Sequence, residues 1–309
     1  MKNNKEKLSI RKKRILKLSG ILLFSVIFLQ GCMYDLRPKA IKKEGITIEN
    51  TAKGKRILEK AWRAQGYDKF DRHSVYSFHG SDTWKGMLGK MGKIWPEMKA
   101  EMEFKYQVGT FDGQVTFVDG KQNGDVAGLQ NWNYYEISKG ETIFKDKNKK
   151  ENKRKVFGIA AFQYFTEMIS RIRNAPIISY AGEKEFRGQK YDLVFCTWGT
   201  DKPHIEHDQY LAWINKKTGL MDFTQYTLRD TYLKPPGYKM IGGAVEFADF
   251  KNIDGIMIPH EQLVYAIKLQ KKTKKNLHRL LISDFKFDAF DVEDLRIDKN
   301  IKQGGDFKD

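Results

Sequence analysis

Disulfide chemistry is largely closed to this chain. Its 309 residues hold two cysteines, Cys32 and Cys196, too few for a disulfide framework. Cys196 lies in a β-rich run, residues 191–198, and free cysteine is among the most often buried residues, so it reads as core rather than as a nucleophile. Catalytic signatures are missing as well: there is no Gly-x-Ser-x-Gly elbow, no His-Glu-x-x-His helix and no phosphate loop. Internal repeats and nucleic-acid motifs are likewise absent, and nucleic acid is not an expected partner. Acidic residues are in deficit, 39 against 56 Lys and Arg, for a net charge of +17. The first 31 residues account for +7 of this, leaving +10 for the remainder. That balance suits a surface facing anionic head groups, or simply a solvated face. The carboxylates sit beside lysines on alternating strand positions, as on a wetted sheet face. No enzymatic activity and no cofactor are expected.

What is present begins with a basic leader: Lys2, Lys5, Lys7, Arg11, Lys12, Lys13, Arg14 and Lys17. An uncharged apolar run, residues 18–29, follows and is too short to span a bilayer comfortably. It ends in Leu29-Gln30-Gly31-Cys32. The order is that of a secretory signal, and its end resembles the bacterial lipobox, in which the cysteine thiol takes a diacylglycerol and the leader is cut just before it. Residues 1–31 are therefore expected to be a lipoprotein signal peptide, with Cys32 the lipidation site and several acyl chains holding the protein to a membrane, each buried methylene contributing ~0.8 kcal/mol. Met33 stands where, in that resemblance, an aspartate would retain the protein at the inner membrane, and no acidic cluster follows. The expected address is the outer membrane, on its periplasmic side. Residues 32–50, with Pro38 and scattered lysines, read as a lipidated tether, and 51–309 as a single domain.

A helix capped by Asn50 or Thr51 is expected to run to about Gln65, burying Ile57, Leu58, Ala61, Trp62 and Gln65. From about Ser74 the chain turns to strands. Residues 99–106 alternate cleanly, with Ala100, Met102, Phe104 and Tyr106 on one face and charges on the other. Similar runs cover 114–118, 130–137, 177–181, 191–197, 210–214, 220–228, 244–250, 256–269 and 280–287. In the last, Leu281, Ser283, Phe285 and Phe287 fall on one side. A Lys/Asn-rich loop over 145–155 precedes a helix over 156–175, which is apolar well beyond one stripe and has to be covered on most sides or cover something else. The fold class expected is α+β: a curved antiparallel sheet of about ten or more strands, an unclosed β-barrel, with helices packed in its concave face.

Two stretches, Tyr210-Leu-Ala-Trp-Ile-Asn-Lys-Lys-Thr-Gly-Leu220 and Phe247-Ala-Asp-Phe-Lys-Asn-Ile-Asp-Gly-Ile-Met-Ile-Pro259, resemble the bacterial lipoprotein-carrier and lipoprotein-receptor family (LolA/LolB-like). The resemblance runs over roughly 51–287, and the chain also looks like lipoproteins of this fold common in Bacteroidota. It implies an unclosed barrel whose mouth is plugged by helices, and a hydrophobic cavity that takes acyl chains. The chain is longer than a simple carrier.

Candidate ligand-binding residues are Trp84, Met91, Trp95, Phe104, Trp132, Tyr134, Phe162, Phe165, Trp213 and Phe247. Trp132 and Tyr134 belong to Asn131-Trp132-Asn133-Tyr134-Tyr135, read as one strand with aromatics on both faces. Residues 82–98, Met-rich and basic, with Trp84, Met87, Leu88, Met91, Ile94 and Trp95 at helical spacing but three glycines that undermine a helix, read either as a hairpin packed on the core or as a lid or membrane-touching loop. In the second case anionic vesicles would blue-shift tryptophan emission. The only cluster of metal-ligand type is His204, His207 and Asp208. As a strand it would point its two histidines apart, and only a loop lets them converge. The function expected is binding of a hydrophobic or acylated ligand, with lipid or lipoprotein trafficking as its purpose. The alternatives are a metal-dependent envelope hydrolase using that cluster, and a structural or partner-binding envelope lipoprotein whose core is filled.

Overall fold

The computed structural model of the protein describes residues 33–229, 231, 238–266 and 275–305. The leader expected over 1–31, Cys32 and the end of the strand expected over 256–269 lie outside the described residues. The strands are β1 Val75–Trp84, β2 Lys99–Gln107, β3 Gly113–Phe117, β4 Val126–Gln130, β5 Asn133–Ser138, β6 Glu141–Lys145, β7 Ile177–Phe186, β8 Gln189–Thr197, β9 Gln209–Asn215, β10 Met221–Thr227, β11 Gly242–Ile253, β12 Ile256–Tyr265 and β13 His278–Phe287. The helices among the described residues are α1 Lys39–Glu44, α2 Ile48–Ala64, α3 Tyr67–Phe70, α4 Gly86–Gly92, α5 Lys150–Thr166 and α6 Met168–Arg173. All thirteen strands form one antiparallel sheet in the order β6-β5-β4-β3-β2-β1-β13-β12-β11-β10-β9-β8-β7. β6 and β7 are its edges and do not pair with each other, so the barrel stays open, as expected.

The alternation of β2 places Ala100, Met102, Phe104 and Tyr106 inside. They join Tyr76, Phe78 and Phe285 in a stack of rings, with Phe78 4.7 Å from Phe104 and Tyr76 5.4 Å from Phe285. β13 departs from its simple alternation. Phe285 and Asp284 together oppose Phe78, a bulge with Asp284 at φ +52. The slip turns Leu280, Ile282 and Phe285 inward and leaves Leu281 outside, so Leu281 and Ser283 do not share a face with Phe285. Residues 130–137 are two strands rather than one. Asn131 and Trp132 both lie at positive φ, +49 and +58, and close a two-residue hairpin between β4 and β5.

α2 begins earlier than expected, at Ile48, because Thr47 rather than Asn50 or Thr51 is the cap, its hydroxyl accepting the Asn50 N–H at 3.1 Å. It buries Gly54, Leu58 and Ala61 against β7 and β8. α5 starts at Lys150, inside the expected loop, and the expected helix breaks at Glu167 into α5 and α6. The Glu167 carboxylate is buried and pushed up by burial; Arg171 at 2.8 Å, Gln163, the Gly109 N–H and the Tyr76 hydroxyl oppose that shift. Residues 33–46 do not hang free. Leu36 and Ile41 are buried on the convex face of the sheet with Trp213, Phe223 and Tyr265, forming a second, smaller core.

Candidate functional site

The interior is filled unevenly. Under β1–β5 the aromatic stack and Trp95 pack against the inner face of α5: Trp95 lies 5.7 Å from both Phe117 and Phe162. Gly158 makes this possible, since a Cβ there would fall 2.3 Å from Ile94 and 2.9 Å from the Trp95 ring. On its other side α5 faces the concave surface of β9, β10, β12 and β13 across open space. There lies a cavity of about 460 Å³, within the usual span of small-ligand pockets, about 300–1,000 Å³. This is why α5 is apolar nearly all round: one face is core and the other is the wall of a hollow.

α5 contributes Phe157, Ala160, Ala161, Phe162 and Phe165 to that wall; Tyr210, Tyr226, Leu228 and Val264 come from the sheet side, and Phe111 and Trp132 from two hairpin tips. Trp132 reaches the cavity because its left-handed turn swings it off the strand and against Phe111, 5.0 Å away. Polar groups are few. Asp208 holds the Thr227 hydroxyl at 2.7 Å and the Arg229 N–H at 2.8 Å. His278 joins Asp82, to which Trp84 Nε1 also donates at 2.8 Å, and stacks on the Trp84 ring at 4.3 Å. The cavity is thus an apolar hollow whose wall includes Asp208 and the His278 and Trp84 of a buried Asp–His–Trp group. Such a site can hold an apolar body and fix one polar end of it.

Of the ten residues singled out from sequence, Trp84, Trp132, Phe162 and Phe165 line the cavity. Trp95, Phe104, Tyr134 and Phe247 are buried in the main core, and Trp213 lies in the convex-face core. Met91 is exposed on α4 beside Met87 and Leu88. Trp84 and Trp95 are 9% and 1% exposed, so their fluorescence cannot report a membrane touching this segment. His278, Asp82, Tyr210 and Tyr226 were not singled out. The signal available for them was the inward phase of β13, β1, β9 and β10, and in β13 the bulge concealed it.

The stretch holding His204 and His207 is a loop between β8 and β9, the one conformation in which the histidines converge. Asp208 is not their third partner, since its carboxylate is turned to Thr227 and Arg229; Glu206 is near them instead.

No family model and no curated protein matches the sequence. Among solved structures, a putative outer membrane lipoprotein-sorting protein domain from Vibrio parahaemolyticus is similar at 12% identity with a TM-score of 0.50, covering 80% of this chain and 97% of that one. A LolA superfamily protein from Nitrosomonas europaea is similar at 14% identity with a TM-score of 0.49, again over 80% and 97% of the two chains. At such identities the likeness is one of fold. The chain has the open-barrel fold of the lipoprotein-sorting domain, as its sequence resemblance implied.

Proposed function

We propose that this protein is a non-enzymatic, lipid-anchored envelope protein that holds an apolar or acylated ligand in the hollow between α5 and the concave sheet. The observation that carries the reading is the cavity itself: about 460 Å³, walled by aromatic and aliphatic side chains with few polar groups among them. The fold it shares with a lipoprotein-sorting domain supports the same reading, as do the leader and Cys32. The chain enters the fold beside the cavity. Tyr34, two residues after Cys32, donates its N–H to the Lys239 carbonyl at 2.9 Å, and Ile241 nearby lines the hollow. An anchor at Cys32, at the periplasmic face of the outer membrane, would hold that side of the barrel close to the lipid surface.

The test is native mass spectrometry and lipid extraction of the full-length chain purified in mild detergent, beside an Ala161→Trp variant whose indole fills the hollow. A non-covalently held lipid in the parent, lost in the variant at unchanged circular dichroism, is the expected result. Recovery of no lipid, together with no saturable uptake of a fluorescent fatty acid, would overturn the proposal.

A further inference from the structure

The loop between β8 and β9 carries a side-chain group that ligand holding does not use. His204, Glu206 and His207 each bring a ligand atom within 4.8 Å of the others, and the two imidazoles lie 5.2 Å apart and 22° from parallel. This arrangement is built in. The Asp201 carboxylate receives Arg37 Nη1 at 3.3 Å, and its carbonyl receives Gln209 Nε2 at 3.1 Å. At the far end the Thr197 hydroxyl donates to the Asp208 carbonyl at 2.9 Å. Between these pins the His207 ring sits flush on Gly199, which is left-handed at φ +66; a Cβ there would lie 2.4 Å from His207 Cδ2. The seat of this ring exists only for glycine.

Two imidazoles and one carboxylate, half-buried to exposed, form a donor set for a borderline divalent transition ion. Magnesium and calcium prefer oxygen throughout, whereas zinc accepts this set with a position left to water. We propose that His204, Glu206 and His207 form a zinc-class metal site at the anchor end of the barrel, next in sequence to cavity-lining Asp208. His204 Nδ1 accepts the Glu206 N–H at 3.1 Å, so a metal taken at that nitrogen displaces this bond.

The experiment adds Zn²⁺, and separately Co²⁺, to the full-length chain in detergent. The expected result is a single saturable uptake by calorimetry, with visible cobalt bands free of thiolate charge transfer. His204→Ala and His207→Ala are each expected to weaken it at least about tenfold, the cost already typical of losing a mere supporting partner. Glu206→Gln, which keeps the shape of the loop, should weaken it in the same direction. Non-saturable uptake, affinity unchanged in the double histidine variant, or a thiolate-to-cobalt band tracing the metal to a cysteine would each overturn the proposal.

Discussion

Glu136 stands where burial and charge pull in opposite directions. Burial pushes its carboxyl up, but Lys145, Lys155 and the Tyr134 hydroxyl more than offset this and hold it at about 2, against an ordinary 4.5. Lys155 belongs to α5 and approaches to 2.7 Å, so the group ties the cavity helix to β5. A carboxyl depressed on folding contributes stability above its unfolded value and loses it as pH falls toward the folded one. The parent is therefore expected to lose stability between pH 4.5 and about 2. Glu136→Gln should flatten that part of the profile and cost about 1 kcal/mol at neutral pH, the scale of ion pairs that solvent reaches. Urea denaturation across the pH range decides it, and an unchanged slope would reject the assignment. Residue identity alone conveyed little of this. Glu136 and Lys155 are nineteen positions apart on different elements, and Trp132 looked like an ordinary strand residue because bulky side chains rarely sit at φ +58.

Gly54 shows how an element's packing can reverse its local preference. Within α2 an alanine would favour the helix by about 1 kcal/mol. Yet a Cβ at this position meets the Tyr180 nitrogen at 2.8 Å and the Ser179 carbonyl carbon at 2.9 Å, both backbone atoms of β7 that cannot turn aside. Gly54→Ala is expected to destabilise by about 1–3 kcal/mol; chemical denaturation giving a gain instead would mean that α2 rides higher on the sheet. α4 poses the opposite problem. Met87, Leu88 and Met91 are 77%, 60% and 53% exposed, with Lys85, Lys90 and Lys93 around them, so this short helix is placed to touch an anionic surface. Since Trp84 and Trp95 are buried, the probe has to be introduced. Leu88→Trp is expected to blue-shift on addition of anionic vesicles, and an unmoved spectrum would leave α4 a solvated cover. At this scale the sequence was easiest to read where period two ran unbroken, as in β2. It was hardest where one inserted residue reversed the phase of β13, and where Lys150 to Lys155, polar enough for a loop, supply the start of α5.

The whole molecule is an open barrel with two cores, and only one of them was legible. The inward face announced itself through alternation and through a helix too apolar for water. The convex core did not, because its cover comes from residues 33–46, which have no period and resemble a linker. Leu36 and Ile41 nevertheless pack with Trp213, Phe223 and Tyr265. Arg229 clasps the same strap, donating Nη2 to the Tyr34 carbonyl at 2.8 Å and Nη1 to the Lys239 carbonyl. A docked strap and a slack tether predict different outcomes for one substitution. Ile41→Ala should cost about 2–4 kcal/mol if the strap is core, as for other buried aliphatic truncations, and less than about 0.5 kcal/mol if it is a tether on the surface. Ile41 is 3% exposed, and the first outcome is expected from equilibrium unfolding of the full-length chain. The consequence reaches the membrane. With the strap docked at Tyr34, only Met33 separates the folded body from the acylation site expected at Cys32, so the barrel would be held against the lipid surface rather than swinging from it, and ligand exchange would occur at the bilayer rather than at a distance from it.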